Sequence, residues 1–243
     1  MNVYPVNAME AGIFKSGQKE PYSRFDDLYN KYIGYQVDFN SHDVEITVTW
    51  AQGVEVDAVI LGNTNAVSCD LLLTNNDVPV LLEHAEITRY INIVDILDAD
   101  KLLKKERLNK MVIMLHGDEN IRIGYLFAGV TWALPRFIVN PNASLEIRSE
   151  SGRTFSGQVT GIPSETLKSF ACSFARVTNK DAKIFDNYVN SVQTIIPHVV
   201  DPYPKAHEDI EPFFATVEEY SEREKRDENG FYWNFDMSWQ EAK

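Results

Sequence analysis

The chain has 243 residues, 44% of them hydrophobic and 24% charged, with a net charge of −13. That length and texture fit one large or two ordinary folded domains and exclude a disordered chain. The acidic balance repels nucleic acid and anionic membrane surfaces, so direct nucleic-acid binding is not expected.

No apolar run approaches the ~20 residues of a membrane span, so no membrane partner is expected either. The opening stretch MNVYPVNAMEAGIFKSGQ lacks a charged region followed by an apolar one. No secretory leader is read there, and folding in a cytosol is expected. Cys69 and Cys172 sit in apolar alternating stretches and no CxxC occurs, which predicts two buried free thiols.

Strand signals come first and dominate. Residues 44–51 (VEITVTWA) alternate Val44, Ile46, Val48 and Trp50 with polar partners. Residues 56–74 (VDAVILGNTNAVSCDLLLT) read as two buried strands joined by a turn. Val67, Cys69, Leu71 and Leu73 share one face of the second strand, by the period of two. Gly62, Asn63, Thr64 and Asn65 are turn chemistry, because Gly and Asn tolerate positive φ. Residues 87–96 (ITRYINIVDI) are β-branched and strand-like.

Residues 97–110 (LDADKLLKKERLNK) end in a basic cluster from Lys101 to Lys110. It reads as an anion-binding patch or, more plainly, as a solvated loop or short helix over a sheet edge. MVIMLHG and IRIGYLFAG supply further strands, the second interrupted at Gly124 and Gly129. Pro135, Pro141 and neighbouring asparagines then mark a connection, which divides the chain into residues 1–134 and 135–243.

Past the connection, SFACSFARV puts Phe170, Cys172 and Phe174 on one face and Ala171, Ser173 and Ala175 on the other. Thr178 and Asp181 have the spacing of a capping box. Behind them Ile184, Phe185, Tyr188, Val189 and Val192 make one apolar stripe, the clearest helix in the chain. TIIPHVV, PFFATVEEY and FYWNFDMSW follow as strands, the last with Phe231, Trp233, Phe235 and Met237 on one face. Residues 218–227 read as a charge-rich bridge between the last two. The fold class expected is mainly β: an N-terminal jelly-roll sandwich, then a β-sandwich or barrel with one flanking α-helix.

The order VDAVILGNTNAVSCDLLL, ITRYINIVDI, IRIGYLFAG resembles the β-sandwich of galactose-binding-like (discoidin-type) domains. There a "DA..LLG.N" strand-turn-strand precedes an "ARYVRI.I"-like strand and an "IGRLFAG"-like closing strand. The stretch from Gly124 to Gly129 resembles a variant found in bacteriophage virion and tail proteins. RTFSGQVTG, SFACSFARV, the helix and TIIPHVVDPY resemble the recurring domain of phage tail-tube and distal tail proteins, and FYWNFDMSWQEA is similar to its closing strand. The resemblance implies a structural component of a bacteriophage tail or tail tip, located in the virion and assembled in the host cytoplasm. Its partners would be copies of itself in a ring and other tail proteins. The alternative is a carbohydrate-binding module contacting host-surface glycan, and a weaker third reading is a hydrolase acting on cell-surface glycan.

No complete catalytic or metal site is legible, so no enzyme, cofactor or metal is expected. His116, Asp118 and Glu119 in LHGDEN hold a His-x-Asp pair that lacks further ligands, and a polar hairpin loop accounts for them. His198, Asp201, His207, Glu208, Asp209 and Glu211 would suit a hard or borderline cation, but prolines and dense charge read equally as an exposed loop. There is no G-x-S-x-G, no P-loop and no H-E-x-x-H. Trp50, Trp132, Trp233 and Trp239 are the aromatics able to stack on a sugar. Trp50 and Trp233 fall on strand faces expected in a core. Trp132 at the connection and Trp239 in the tail suit a protein interface.

Overall fold

The computed structural model describes all residues except 17–24, 30–32, 35, 98–103, 136–140, 148–149, 154–158, 163–165, 194, 205–209, 228–229 and 243. The chain is mainly β, as expected. After β1 (Asn2–Tyr4) come β2 (Ile13–Ser16), β3 (Val37–Asp38), β4 (Asp43–Val56), β5 (Ala58–Thr64), β6 (Ser68–Asn75), β7 (Val78–Glu86), β8 (Ile91–Asp95), β9 (Glu106–His116), β10 (Arg122–Gly129) and β11 (Trp132–Ala133). The second half holds β12 (Asn142–Ile147), β13 (Glu150–Arg153), β14 (Val159–Ile162), β15 (Thr166–Val177), helix α1 (Asn179–Val192), β16 (His198–Asp201), β17 (Phe213–Asp227) and β18 (Gly230–Glu241).

Two antiparallel sheets, ordered β2-β4-β9-β6-β7 and β3-β10-β5-β8, face each other as a sandwich. Alternation supplies the core between them: Val44, Ile46, Val48 and Trp50 from β4 meet Val59, Leu61, Ile123 and Leu126 from the other sheet. The stretch 56–74 is not a hairpin. β5 pairs with β10 and β8, whereas β6 pairs with β9 and β7, so the connection crosses from one sheet to the other. Gly62, Asn63 and Thr64 belong to β5, not to a turn. Asn63 takes φ 50° inside the strand and uses its side chain on a neighbouring segment, donating from Nδ2 to Ile33 O at 2.8 Å. Of the four residues expected on one buried face, Cys69, Leu71 and Leu73 are buried and Val67 is exposed.

Gly124 does not interrupt β10. It lets the segment carrying Ile33 lie close, since a Cβ there would come 2.4 Å from Ile33 O and 2.8 Å from Asn63 Nδ2. Gly124→Ala is therefore expected to break the Asn63–Ile33 contact and cost about 1–3 kcal/mol, the range for overpacking. Chemical denaturation measures it, and an unchanged midpoint would show that the segment moves freely aside.

The second unit is a seven-stranded sheet, β11-β1-β16-β17-β18-β15-β12. β1 comes from the start of the chain and pairs with β16 and β11, so the first residues belong to this sheet and not to the sandwich. Helix α1 begins at Thr178, whose Oγ1 accepts from Asp181 N at 3.2 Å and donates to Asp181 Oδ2 at 2.9 Å. This is the expected cap. The helix buries Phe185, Tyr188 and Val192 against Phe170, Phe174, Phe235, Met237 and Trp239 of the sheet. The two units meet along Tyr4, Val199 and Phe214, which pack on Ile60, Tyr125 and Phe127 of the sandwich's outer face.

Residues 218–227 are strand, not a bridge: they pair with β18 from Ser238 to Gly230 in one long hairpin. Their charges are carried on an edge where no apolar face is needed, which hides the strand from periodicity. Likewise Lys104 to Lys110 is not a loop or helix over its whole length, because β9 starts at Glu106 and buries Leu108.

Candidate functional site

One end of the sandwich gathers polar loops. Backbone bonds tie the two connections there: Phe39 N donates to Ile121 O at 2.8 Å, Gly117 N to His42 O at 2.9 Å and Ile121 N to Ser41 O at 2.9 Å. Asn65 joins them, accepting from Arg122 N at 2.7 Å and donating to Asn120 O at 3.0 Å. Asn120 Nδ2 in turn donates to Asn40 Oδ1 at 3.2 Å. Together they frame an open concavity of about 620 Å³ lined by Asp38, Asn40, His42, Asp118, Glu119 and Arg122. These side chains offer both donors and acceptors. Phe39 beneath them is buried at 2% exposure and gives no stacking platform.

A second concavity, about 690 Å³, lies on the seven-stranded sheet and is lined by Ala171, Ser173, Glu218, Ser221, Asp236 and Ser238. Ala171, Ser173, Asp236 and Ser238 alternate with the buried Phe170, Cys172, Phe174, Phe235 and Met237, which places them on the face away from α1. That face is small, polar and acidic. Among the described residues, no strand pairs with the outer edge of β17 beyond Ala215, where β16 stops, and β12 is likewise paired on one side only.

The residues singled out from the sequence fare differently. His116 does not meet Asp118 or Glu119. It ends β9, with Nδ1 2.7 Å from Asp43 Oδ1 and Nε2 3.2 Å from Asp70 Oδ2. Asp118 and Glu119 line the sandwich-end concavity instead. His198 and Asp201 are buried in β16, and Glu211 is exposed. His207, Glu208 and Asp209 lie outside the described residues, as do Lys101 to Leu103. Among the described residues no cluster of three or more His, Cys, Asp or Glu side chains has metal-holding geometry, and no helix is long and apolar enough to cross a membrane.

His198 is held by hydrogen bonds, not by carboxylates. Its Nδ1–H donates to Ile196 O at 3.0 Å, so its bare Nε2 accepts from the Tyr188 hydroxyl at 2.5 Å. The Tyr188 hydroxyl oxygen (Oη) accepts from Trp239 Nε1 at 2.7 Å. Trp239 is thus a core residue at 0% exposure, not an interface residue of the tail. Trp50 is also core, with Nε1 donating to Ala8 O at 2.8 Å. Trp132 and Trp233 are half-buried, the latter bound to Asn179. Both cysteines are buried and free, and burial pushes Cys69 up to about 11 and Cys172 to about 12, which leaves them protonated and unreactive.

Sequence reasoning missed Asn40, His42 and Arg122 at the sandwich end, and Asp43, Asp70 and His84 on its sheet. Both strands of residues 56–74 read as buried, which hid Asp70, and which strand lies beside it is not a local property.

No protein-family model matches the chain and no curated protein does. Among solved structures, the chain is similar over 51% of its length to a fucose-binding module of Streptococcus pneumoniae, at 15% identity and TM-score 0.41, covering 98% of that module. It is similar to the chitosan-binding module 1 of a Paenibacillus chitosanase/glucanase at 9% identity and TM-score 0.40, over 51% and 99%. A GH29 fucosidase of Ruminococcus gnavus in complex with fucose matches at 10% identity and TM-score 0.43 over 52% of this chain, which spans only 27% of that enzyme.

Proposed function

We propose that the chain is a non-catalytic structural protein of a bacteriophage tail or tail tip, closing into a ring with copies of itself through the edges of its seven-stranded sheet. The observation that carries this reading is the pair of open edges: β17 from Thr216 onward, and β12 at the far side of the same sheet. An unpaired strand edge is a template for another strand. One edge on each side gives a head-to-tail contact, which makes a ring when the rotation closes. Glu218, Glu219, Glu222 and Glu224 discourage indiscriminate pairing along β17. The acidic face opposite α1 suits a lumen that carries DNA without holding it. The sandwich then projects as a docking arm.

The test is a double variant of the full chain, Ser221→Cys with Ser144→Cys. Mild oxidation should yield ladders of covalent oligomers, and electron cryo-microscopy of the tail should show the chain as a ring. Monomers only under oxidation, together with absence of the chain from the tail, would sink this reading.

The loop cluster at the sandwich end favours a second reading, a carbohydrate-binding module contacting host-surface glycan. Asn40, His42, Glu119 and Arg122 present the mixed donors and acceptors that sugar hydroxyls need. The solved structures named above are sugar-binding modules and a fucosidase, none a tail protein, so they lend the ring reading nothing; they indicate which sugars to try, fucose and chitosan oligomers among them. A glycan array with the full chain decides: binding that His42→Ala and Arg122→Ala abolish supports this reading, and no binding to any glycan removes it.

A further inference from the structure

A row of alternating acids and imidazoles crosses the outer face of the five-stranded sheet. It runs Asp43 on β4, His116 on β9, Asp70 on β6, then His84 and Glu86 on β7. Asp43 Oδ1 is 2.7 Å from His116 Nδ1, and His116 Nε2 is 3.2 Å from Asp70 Oδ2. Asp70 Oδ1 is 2.7 Å from His84 Nδ1, and His84 Nε2 is 3.5 Å from Glu86 Oε1. Each ring therefore meets a carboxylate oxygen at both nitrogens.

A neutral imidazole has one N–H and one lone pair. Whichever tautomer it takes, one nitrogen would set its lone pair against a carboxylate oxygen. Only the imidazolium satisfies both contacts. With two protonated rings, the three carboxylates leave the row one negative charge; with neutral rings they leave three.

The row ends on a weakly held strand. β7 is an edge strand, and no residue of it is fully buried. Val80, Leu81 and Ala85 are half-buried, and its ladder with β6 is broken by a bulge between Leu73 and Thr74. Behind β7, facing β8, is a cleft of about 220 Å³ lined by Leu61, Cys69, Ala85, Ile87, Ile91 and Val94.

We propose that the row is a proton-operated clasp: with both imidazoles charged it fastens β7 to the sheet through Asp70, and with both neutral it lets β7 open away from the cleft. Glu45 on β4 shares this outer face, and Asp118 and Glu119 follow β9; these acids favour the charged rings. Lys15 on β2 and Lys110 on β9 share the face farther along and oppose them, while Glu83 is on the other face of β7.

The titration agrees in direction. Asp70, then Glu86, holds His84 above the ordinary value of 6.5, and Asp43, then Asp70, does the same for His116. The two imidazoles hold Asp70 low in return. A raised folded-state value means that the clasp is complete below 6.5 and is lost as pH rises through the raised value.

Hydrogen exchange of the full chain, corrected for intrinsic rates, tests the clasp between about pH 6 and about pH 8.5. Amides of β7 should lose about threefold in protection over that range, the scale of one exposed ion pair, while those of β9 hold. Asp70→Asn should flatten the response, and Glu224→Gln on β17 of the seven-stranded sheet should leave it. Independently of any variant, NMR titration of the unsubstituted chain should place both His84 and His116 above 6.5. The proposal fails if β7 protection is constant across the range, if Asp70→Asn keeps the full response, or if either imidazole titrates at or below 6.5.

Discussion

Acidification from neutral pH toward about pH 4.5 is expected to destabilise the folded chain by about 2 kcal/mol through His198 alone. His198 is buried at 1% exposure, and burial pushes its pKa down to about 4 from 6.5. The unfolded chain takes a proton near 6.5 and the folded chain refuses it until about 4, so between those values the unfolded state binds more protons. Stability therefore rises with pH across that window: the contribution is whole above 6.5 and falls away as pH drops toward 4.

The hydrogen bonds give the structural reason. A second proton on Nε2 would have to be donated to Tyr188 Oη, which already accepts from Trp239. The Tyr188 hydroxyl proton would then lose its acceptor at a fully buried position. Urea midpoints at neutral pH and at about pH 4.5, for the unsubstituted chain and for His198→Phe, isolate the effect from the carboxylates, which titrate in both. A pH slope identical in the two proteins would show that His198 is not buried neutral. The clasp histidines carry the opposite sign, so His84→Gln with His116→Gln should steepen the rise of stability with pH.

Phe185→Ala is expected to cost about 3–5 kcal/mol, a large part of the stability of an ordinary domain. Phe185 is fully buried on α1. Its ring stacks on Phe235 at 4.3 Å and 12°, and meets Phe174 edge-on at 4.8 Å. Truncation leaves a cavity between helix and sheet that neither backbone can close. Denaturation followed by far-ultraviolet circular dichroism measures the loss. A change below about 1 kcal/mol, the scale of a surface substitution, would mean that α1 is not packed on this sheet.

The local parts of this architecture were legible in the sequence because they are local. Alternation reported which side chains of β4, β15 and β18 share a face, and it hid Cys69 and Cys172 correctly. The spacing of Thr178 and Asp181, with the apolar stripe behind them, set the helix start to within two residues. What alternation cannot report is the neighbour. β5 and β6 read as a hairpin because they are consecutive and apolar, yet the interior they share lies between two sheets, so each faces the other across the core instead of pairing. Charge on residues 218–225 masked a strand, because a strand at an edge needs no apolar face.

The two sites were decided only by tertiary structure. Asp43 and His116 are 73 residues apart in the chain and 2.7 Å apart in space. Asn40 and Asn120 are separated by 80 residues and joined by one hydrogen bond. Burial made His198 a neutral acceptor in the core, where its sequence surroundings of proline and charge suggested an exposed loop. The sequence by itself determined most of the apolar faces that leave water, since those depend on each side chain and its periodicity; Val67 and His198 are the exceptions. Which polar residues then meet depended on sheet order and register, and those follow from how two apolar faces close on each other over the whole chain.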